Sequence, residues 1–157
     1  MAGEEESPNV AALRRFSRFY TRQLGLLDEQ LLGSGFSLTE VRVLYEIVHQ
    51  PGLAAADLGR LLAIDGGYLS RILRRFVSQG LVKRSLHATD ARSSTLAATV
   101  KGKKALAPLE RASSARAAAL LSHLDAGSAD ELRRAMGTVE RALTPAAAAI
   151  PAMEVPE

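Results

Sequence analysis

The side chains best suited to act together at one site are the Lys and Arg residues that recur between residues 68 and 104. That segment holds nine Lys or Arg residues and one acid, Asp90, so it carries +8 while the whole chain carries +3. An ordinary solvated surface intersperses both signs, whereas a block of one sign is an electrostatic footprint for phosphate groups. The segment therefore favours a nucleic-acid-binding surface over the alternative, a solvated charged helix face.

The first part of this segment predicts a basic amphipathic helix. Asp65 can accept a free amide as the N-cap, and Gly80 can adopt the left-handed conformation that closes the last turn. Four apolar residues recur between them at helical spacing and predict one buried stripe: Leu69, Ile72, Leu73 and Phe76. Arg71, Arg74 and Arg75 fall outside that stripe, so one face packs and the other is basic.

The residues after this helix predict a short hairpin. Residues 81–86 and 93–98 flank a turn-forming run over residues 87–92. A basic helix fits the major groove of duplex DNA, and a basic hairpin beside it can reach the backbone or the minor groove. Together the two elements indicate a winged helix-turn-helix.

Three helices are predicted before the basic helix. The first starts at Ser7-Pro8, and its apolar spacing predicts about 24 residues, ending at Leu32. Ser37-Leu-Thr-Glu40 is a capping box that opens the second, which ends near His49. The third, Ala54 to Leu62, forms a helix-turn-helix with the basic helix.

Two helices are predicted after the hairpin. In the fifth, Pro108 removes a backbone hydrogen bond, so we expect either a bend there or a helix that starts only after it. Gly127 predicts an interruption, and Ser128-Ala-Asp-Glu131 a capping box for a sixth helix to Leu143. The first, fifth and sixth helices have more apolar surface than a wing-sized core can cover, which favours pairing with another chain.

The predicted fold class is mainly α with a small β-hairpin wing, because 157 residues of 47% apolar content allow one sizeable core. Residues 36–99 are predicted to form the winged helix-turn-helix DNA-binding domain. Long dimerisation helices are predicted over residues 8–35 and 100–145. Residues 1–7 are predicted to be a disordered acidic tail, and residues 146–157 a loose tail.

Composition argues against several functions. Without cysteine the chain has no disulfide and no thiolate zinc site, and 4% aromatic residues provide few stacking platforms for single strands. No nucleophile–base pair, phosphate loop or carboxylate–histidine cluster is visible, so we expect no enzyme activity, metal or cofactor. The acidic N-terminus and the lack of an apolar run of ~20 residues predict a cytoplasmic protein without a membrane partner.

From about Val10 to Leu143 the chain resembles the MarR family of bacterial transcription regulators. The motifs that carry the resemblance are Phe36-Ser-Leu-Thr-Glu40, Gly67-Tyr-Leu-Ser-Arg-Ile-Leu, Gly80-Leu-Val82 and Asp90-Ala-Arg92. The stretch Arg18-Phe-Tyr-Thr-Arg22, with Leu26-Leu-Asp-Glu29, looks closer still to the regulators fused to an acetyltransferase domain. Only the DNA-binding half of such proteins is implied here.

The resemblance implies a homodimer, paired through its terminal helices, that regulates transcription from double-stranded DNA. Two-fold symmetry then predicts an inverted-repeat operator with half-sites about 34 Å apart. The implied DNA contacts are Gly66, Gly67, Tyr68, Ser70, Arg71, Arg74, Arg75, Lys83, Arg84, Asp90 and Arg92. Arg92 would enter the minor groove. Asp90 either holds the turn by hydrogen bonds or an ion pair or is a simple turn residue, and Tyr68 either touches phosphate or packs. The alternative is a winged-helix protein-interaction module that does not read DNA.

The resemblance also implies a repressor released by a small aromatic acid or phenol bound beside the dimer helices. Such a ligand acts only through unequal affinity for the DNA-competent and incompetent states. The candidate lining residues are Phe16, Phe19, Tyr20, Tyr45 and His49. The alternative stays open that Phe16, Tyr20 and Tyr45 are core residues and His49 a surface or capping group.

Overall fold

The computed structural model describes residues 7–25, 34–86 and 94–144. Within these ranges the elements are α1 (Pro8–Gln23), α2 (Leu38–His49), α3 (Ala55–Leu62), α4 (Gly66–Ser78), β1 (Val82–Leu86), β2 (Ser94–Ala98), α5 (Val100–Leu121) and α6 (Ala126–Leu143). The predicted fold class, mainly α with one hairpin, is confirmed. The chain divides into two units within α5, one up to residue 117 and one from residue 118.

The core of the first unit gathers apolar side chains from α2, α3, α4, the hairpin and the start of α5. Its largest fully buried side chains are Phe76, Leu44, Ile47, Leu58, Leu73, Leu96, Leu106 and Val43. The stripe predicted on α4 is confirmed, since each of its four members is at most 3% exposed. Burial of a large aliphatic or aromatic side chain stabilises a fold by about 1.5–3 kcal/mol, so this stripe determines how α4 packs.

Two predicted caps set the starts of α2 and α4. Ser37 Oγ accepts the amide of Glu40 at 3.2 Å, and Glu40 Oε2 accepts the amide of Ser37 at 2.9 Å, which completes the capping box. The carboxylate of Asp65 accepts the amide of Tyr68 at 2.9 Å. Ala63, between α3 and α4, has φ +51°, a left-handed conformation that turns the chain from one helix into the next.

The hairpin is anchored to the connection between α2 and α3. β1 and β2 pair antiparallel from Val82 opposite Ala98 to Leu86 opposite Ser94. Leu96 of β2 accepts the amide of Gly52 at 2.9 Å and donates its own amide to Leu53, also at 2.9 Å. Because the side chain of Leu96 is fully buried, a register shift would expose it, so the pairing is well defined.

The start of α5 is tied to the start of β1. Thr99 donates its amide to the carbonyl of Leu81 at 2.9 Å and its hydroxyl to the carbonyl of Gly80 at 2.6 Å. The same hydroxyl oxygen accepts the amide of Gly102 at 3.0 Å. Gly102 is buried directly against the backbone of Leu81, where a Cβ atom would collide with the Leu81 carbonyl oxygen.

The predicted end of α1 was wrong, because the helix ends at Gln23 and not at Leu32. Gly25 has φ +64° and donates its amide to the Arg22 carbonyl at 3.1 Å, which closes the last turn. The apolar spacing that suggested a longer helix continues past this glycine. The remainder of the predicted helix, residues 26–32, lies outside the described residues.

The expectation that α5 might start only after Pro108 was also wrong. The helix is continuous from Val100 to Leu121 and includes Pro108. Pro108 is exposed while Leu106 and Leu109 are buried. Because proline has no N–H, the carbonyl four residues before it lacks a helical hydrogen bond. On the solvent side that carbonyl is accessible to water, which lowers the free-energy cost of a proline within a helix.

In the second unit, α6 begins at Ala126, so the predicted Ser128–Glu131 capping box was wrong. Asp125 is the N-cap, and its carboxylate accepts the amide of Ser128 at 2.8 Å and the hydroxyl of Ser128 at 3.1 Å. These hydrogen bonds lower the pKa of Asp125. The cap therefore stabilises α6 above the ordinary carboxyl pKa and loses this contribution as the pH falls through the lowered value. α6 ends at Leu143, as predicted.

Neither α1 nor α6 buries a residue. α1 exposes five large apolar side chains: Val10, Leu13, Phe16, Phe19 and Tyr20. α6 exposes four more: Leu132, Met136, Val139 and Leu143. No helix in the described ranges is long and apolar enough to cross a bilayer.

Gly102→Ala should destabilise the protein, because the new methyl group meets the Leu81 carbonyl and the backbone must shift. We expect a loss of about 1–3 kcal/mol in the free energy of unfolding, measured by chemical denaturation. Gly137→Ala, in open helix on α6, is the matched control and should stabilise by up to about 1 kcal/mol. Equal stability of Gly102→Ala and the wild type would contradict the close approach.

Candidate nucleic-acid interface

The candidate interface is the outward side of α4. Burial of the apolar stripe leaves seven predicted site residues exposed on this helix: Gly66, Gly67, Tyr68, Ser70, Arg71, Arg74 and Arg75. We call Arg71, Arg74 and Arg75 the basic face of α4. No acidic residue occurs between Gly66 and Leu86, so the basic face has no competing carboxylate in its own segment.

Two arginines of the basic face are held by contacts within α4. The guanidinium of Arg71 lies 5.6 Å from the centre of the Tyr68 ring, a cation–π contact that restricts the long side chain. Arg74 Nε donates to the Ser70 carbonyl at 3.4 Å. Tyr68 is 38% exposed, so it supports Arg71 while its ring remains accessible.

Arg75 points to α2. Its Nη1 lies 2.5 Å from Glu40 Oε1, and its guanidinium lies 6.0 Å from the centre of the Phe36 ring. Phe36 in turn makes an edge contact with Phe76, with 6.1 Å between ring centroids. Arg75 is therefore shared between the exposed side of α4 and the start of α2, which distinguishes it from Arg71 and Arg74.

The hairpin adds two exposed cations, Lys83 and Arg84 on β1. Arg84 borders an open cleft of about 650 Å³ that also includes Arg60, Asp65, Gly66 and Ser70. The cleft brings α3, the first turn of α4 and β1 together, so the predicted residues on helix and hairpin share one surface. Asp90 and Arg92 lie outside the described residues.

Sequence reasoning missed Arg60, which borders the same cleft and contacts the carboxylate of Asp57. Its position on α3, one helix before the basic face, could have indicated a role in the interface. A lone arginine close to an acid in sequence is not by itself a sign of a binding site. It also missed Glu40 as a partner for Arg75. That contact spans 35 residues and leaves no local pattern.

A second groove lies between α2 and α5 in the first unit. It measures about 400 Å³ and is bordered by Leu38, Val41, Arg42, Tyr45, Leu106, Leu109, Glu110, Ser113 and Ser114. Of the predicted effector-binding residues, Tyr45 borders it. His49 lies beside it, because its ring is 4.3 Å from that of Tyr45 and its Nε2 is 2.7 Å from Glu110 Oε1.

The other three predicted effector residues lie on α1. The rings of Phe16 and Tyr20 stack with centroids 5.6 Å apart, and Phe19 is exposed. None of the three borders the groove between α2 and α5. No cluster of three or more metal-binding side chains occurs in the part of the chain that the structure describes.

An α3–α4 pair followed by a hairpin, with the exposed side of α4 basic, defines a winged helix-turn-helix. Residues 34–93 match the sequence profile of the MarR family. The resemblance predicted from the sequence is thereby confirmed for this segment, which is similar to the winged helix-turn-helix of MarR-family proteins.

The chain is also similar to individual known proteins in sequence or in fold. The HTH-type transcriptional regulator BilQ of Clostridium symbiosum (strain WAL-14163) is 29% identical over 75 residues, which are 48% of this chain and 52% of BilQ. The matched segment thus spans about half the length of that relative. Streptococcus pneumoniae FabT, solved in complex with DNA, superposes with a TM-score of 0.73 at 16% identity, over 85% of this chain and 95% of FabT.

A mutant MarR from E. coli, solved with operator DNA, is similar in fold. It superposes with a TM-score of 0.71 at 22% identity, over 89% of this chain and 100% of the MarR chain. At these identities the similarity to FabT and MarR establishes the fold alone.

Asp65→Ala should weaken the start of α4, because the amide of Tyr68 loses its acceptor. We expect a loss of about 1 kcal/mol in the free energy of unfolding by urea denaturation. Asp65→Asn keeps a side-chain oxygen in place and should remain within a few tenths of a kcal/mol of the wild type. Equal losses in the two variants would show that the cap does not stabilise α4.

Proposed function

We propose that this protein is a homodimeric transcription regulator, most simply a repressor, that binds an inverted-repeat operator in double-stranded DNA. The observation that carries the proposal is the basic face of α4. Its three arginines are exposed because the opposite side of the helix is buried, and residues 66–86 contain no acid. A cationic helix of this kind fits the major groove, where Arg can read guanine through two hydrogen bonds.

The contacts divide by chemistry. Arg71, Arg74 and Ser70 are proposed to reach base edges or phosphates in the major groove, and Gly66 and Gly67 to allow close approach of the backbone. Lys83 and Arg84 are proposed to attract phosphate without reading sequence. At the tip of the wing, Arg92 would enter the minor groove and Asp90 would hold the turn. FabT was solved in complex with DNA and the MarR mutant with operator DNA, which supports this proposal.

The homodimer is proposed from the exposed apolar residues of the terminal helices. Phe16, Phe19 and Tyr20 on α1 are each 44–49% exposed, although each has a large apolar surface. α6 exposes a further apolar set. Such surface on a monomer marks an interaction site, and a second copy covers it by two-fold symmetry. The two copies of α4 would then enter successive major grooves, about 34 Å apart.

The groove between α2 and α5 is the proposed site for a small aromatic acid or phenol. Tyr45 and the apolar side chains of Leu106 and Leu109 can face a ring, and Arg42 can pair with a carboxylate. Arg42 lies 5.3 Å from the centre of the Tyr45 ring and 2.9 Å from Glu46, so an acid would compete with Glu46 for it. Binding there would regulate the protein only by preferring one dimer conformation.

Arg71→Ala should weaken binding to a duplex that the wild type selects from a random pool, because a bidentate base contact is lost. The expected loss is about 1–3 kcal/mol, with a much smaller change on random duplex. Lys83→Ala is the control for a phosphate contact and should weaken binding to both duplexes equally. Fluorescence anisotropy titrations at several salt concentrations measure both. Equal losses for Arg71→Ala on the two duplexes would make Arg71 a phosphate anchor.

Phe16→Glu should shift the protein from dimer to monomer, because it places a charge on the exposed apolar side of α1. Arg18→Gln, on the opposite side of the helix, changes the net charge by the same amount and should leave the dimer intact. Sedimentation at micromolar concentration measures both masses. A Phe16→Glu variant that sediments like the wild type would contradict pairing through α1.

A further inference from the structure

Glu40 is an unusual residue for its location. It is 8% exposed, and within the described ranges only one other charged residue, Glu46, is buried. Both of its oxygens are used, because Oε2 accepts the amide of Ser37 while Oε1 meets Arg75 Nη1. A buried carboxylate has a high desolvation cost unless it is paired and hydrogen-bonded. Glu40 therefore depends on Arg75, which lies on a different helix.

The contact links the start of α2 to the third turn of α4. On α2 the same carboxylate belongs to the capping box, so the backbone amide of Ser37 also holds it in place. On α4 the neighbouring Phe76 is fully buried and makes an edge contact with Phe36, whose ring also faces Arg75. Arg75 is thus held on two sides, by charge from Glu40 and by the ring of Phe36.

This arrangement limits what Arg75 can do for DNA. A guanidinium that leaves Glu40 to meet a phosphate would leave a buried carboxylate without its cation. Arg71 and Arg74 differ from Arg75, because Arg71 contacts the Tyr68 ring and Arg74 the Ser70 carbonyl, both within α4. The three arginines of the basic face are therefore not equivalent.

We propose that Arg75 and Glu40 form a positioning pair that sets the orientation of α4, so that Arg71 and Arg74 meet base edges in register. Arg75 is then a positioning residue and not a DNA contact. The proposal rests on the DNA-binding function proposed above and reassigns one of its residues. It predicts that loss of the pair lowers the preference for the selected duplex more than it lowers general attraction to DNA.

The test is a double-mutant cycle of Glu40→Gln and Arg75→Gln. Glutamine at position 40 keeps an oxygen for the Ser37 amide while it removes the charge that pairs with Arg75. Anisotropy titrations with the selected duplex and with random duplex, each over a salt series, give the preference and the salt slope. Circular dichroism fixes a temperature at which every variant is folded.

We expect each single variant to lower the preference for the selected duplex by about tenfold, and the double variant to lose no more than either alone. The salt slope on random duplex should stay at its wild-type value. Lys83→Gln is the matched control, because Lys83 lies exposed on β1 and is proposed to attract phosphate only. Its effect on the affinity for each duplex should add to that of Glu40→Gln. If Glu40→Gln lowers the folded fraction, Arg75→Gln carries the test alone, since its side chain is 46% exposed.

Two results would overturn the proposal. Equal losses on both duplexes for Arg75→Gln, with the salt slope reduced by about one, would make Arg75 a phosphate contact. Independent, additive effects of Glu40→Gln and Arg75→Gln would show that the two residues do not act as a pair. If the wild type selects no duplex at all, the DNA-binding function fails and this proposal fails with it. Wild-type selection with unaffected variants would reject the positioning role alone.

Discussion

The burial of one side of α4 is the constraint on which the rest of the molecule depends. Its apolar stripe packs into the core, and each such side chain stabilises the fold by about 1.5–3 kcal/mol when fully buried. Rotation of the helix would expose that stripe and bring Arg71 and Arg74 toward an apolar interior, where an unpaired charge is strongly unfavourable. The helix therefore has one acceptable orientation, and its arginines face outward as a consequence of packing.

The neighbouring elements extend this orientation into a surface. The hairpin is fastened to the same core through Leu96, and its Arg84 borders a cleft with the first turn of α4. Asp65 caps that first turn, and Thr99 fastens α5 to the end of the helix through Gly80 and Leu81. The position of the cations thus follows from backbone hydrogen bonds and apolar contacts. Salt does not weaken these contacts, whereas it screens the proposed attraction between the cations and DNA.

Much of this was predictable from local sequence, because the signals for α4 agree with each other. A cap at Asp65, apolar residues at helical spacing and a glycine at position 80 all indicate the same helix, and the structure has it. The errors arose where signals compete. For α1 the apolar spacing that continues to Leu32 competes with the stop signal at Gly25, and for α6 Asp125 competes with Ser128 as the cap. The Glu40–Arg75 contact could not be predicted, since its partners are distant in sequence and either could face water.

In the proposed complex, two copies of this chain present two cationic helices to one duplex. The most direct test is to sediment the protein with the duplex that it selects, while the salt concentration is varied. We expect two chains per duplex and an affinity whose logarithm falls linearly as the logarithm of salt concentration rises. One chain per duplex, or an affinity that salt does not change, would contradict this expectation.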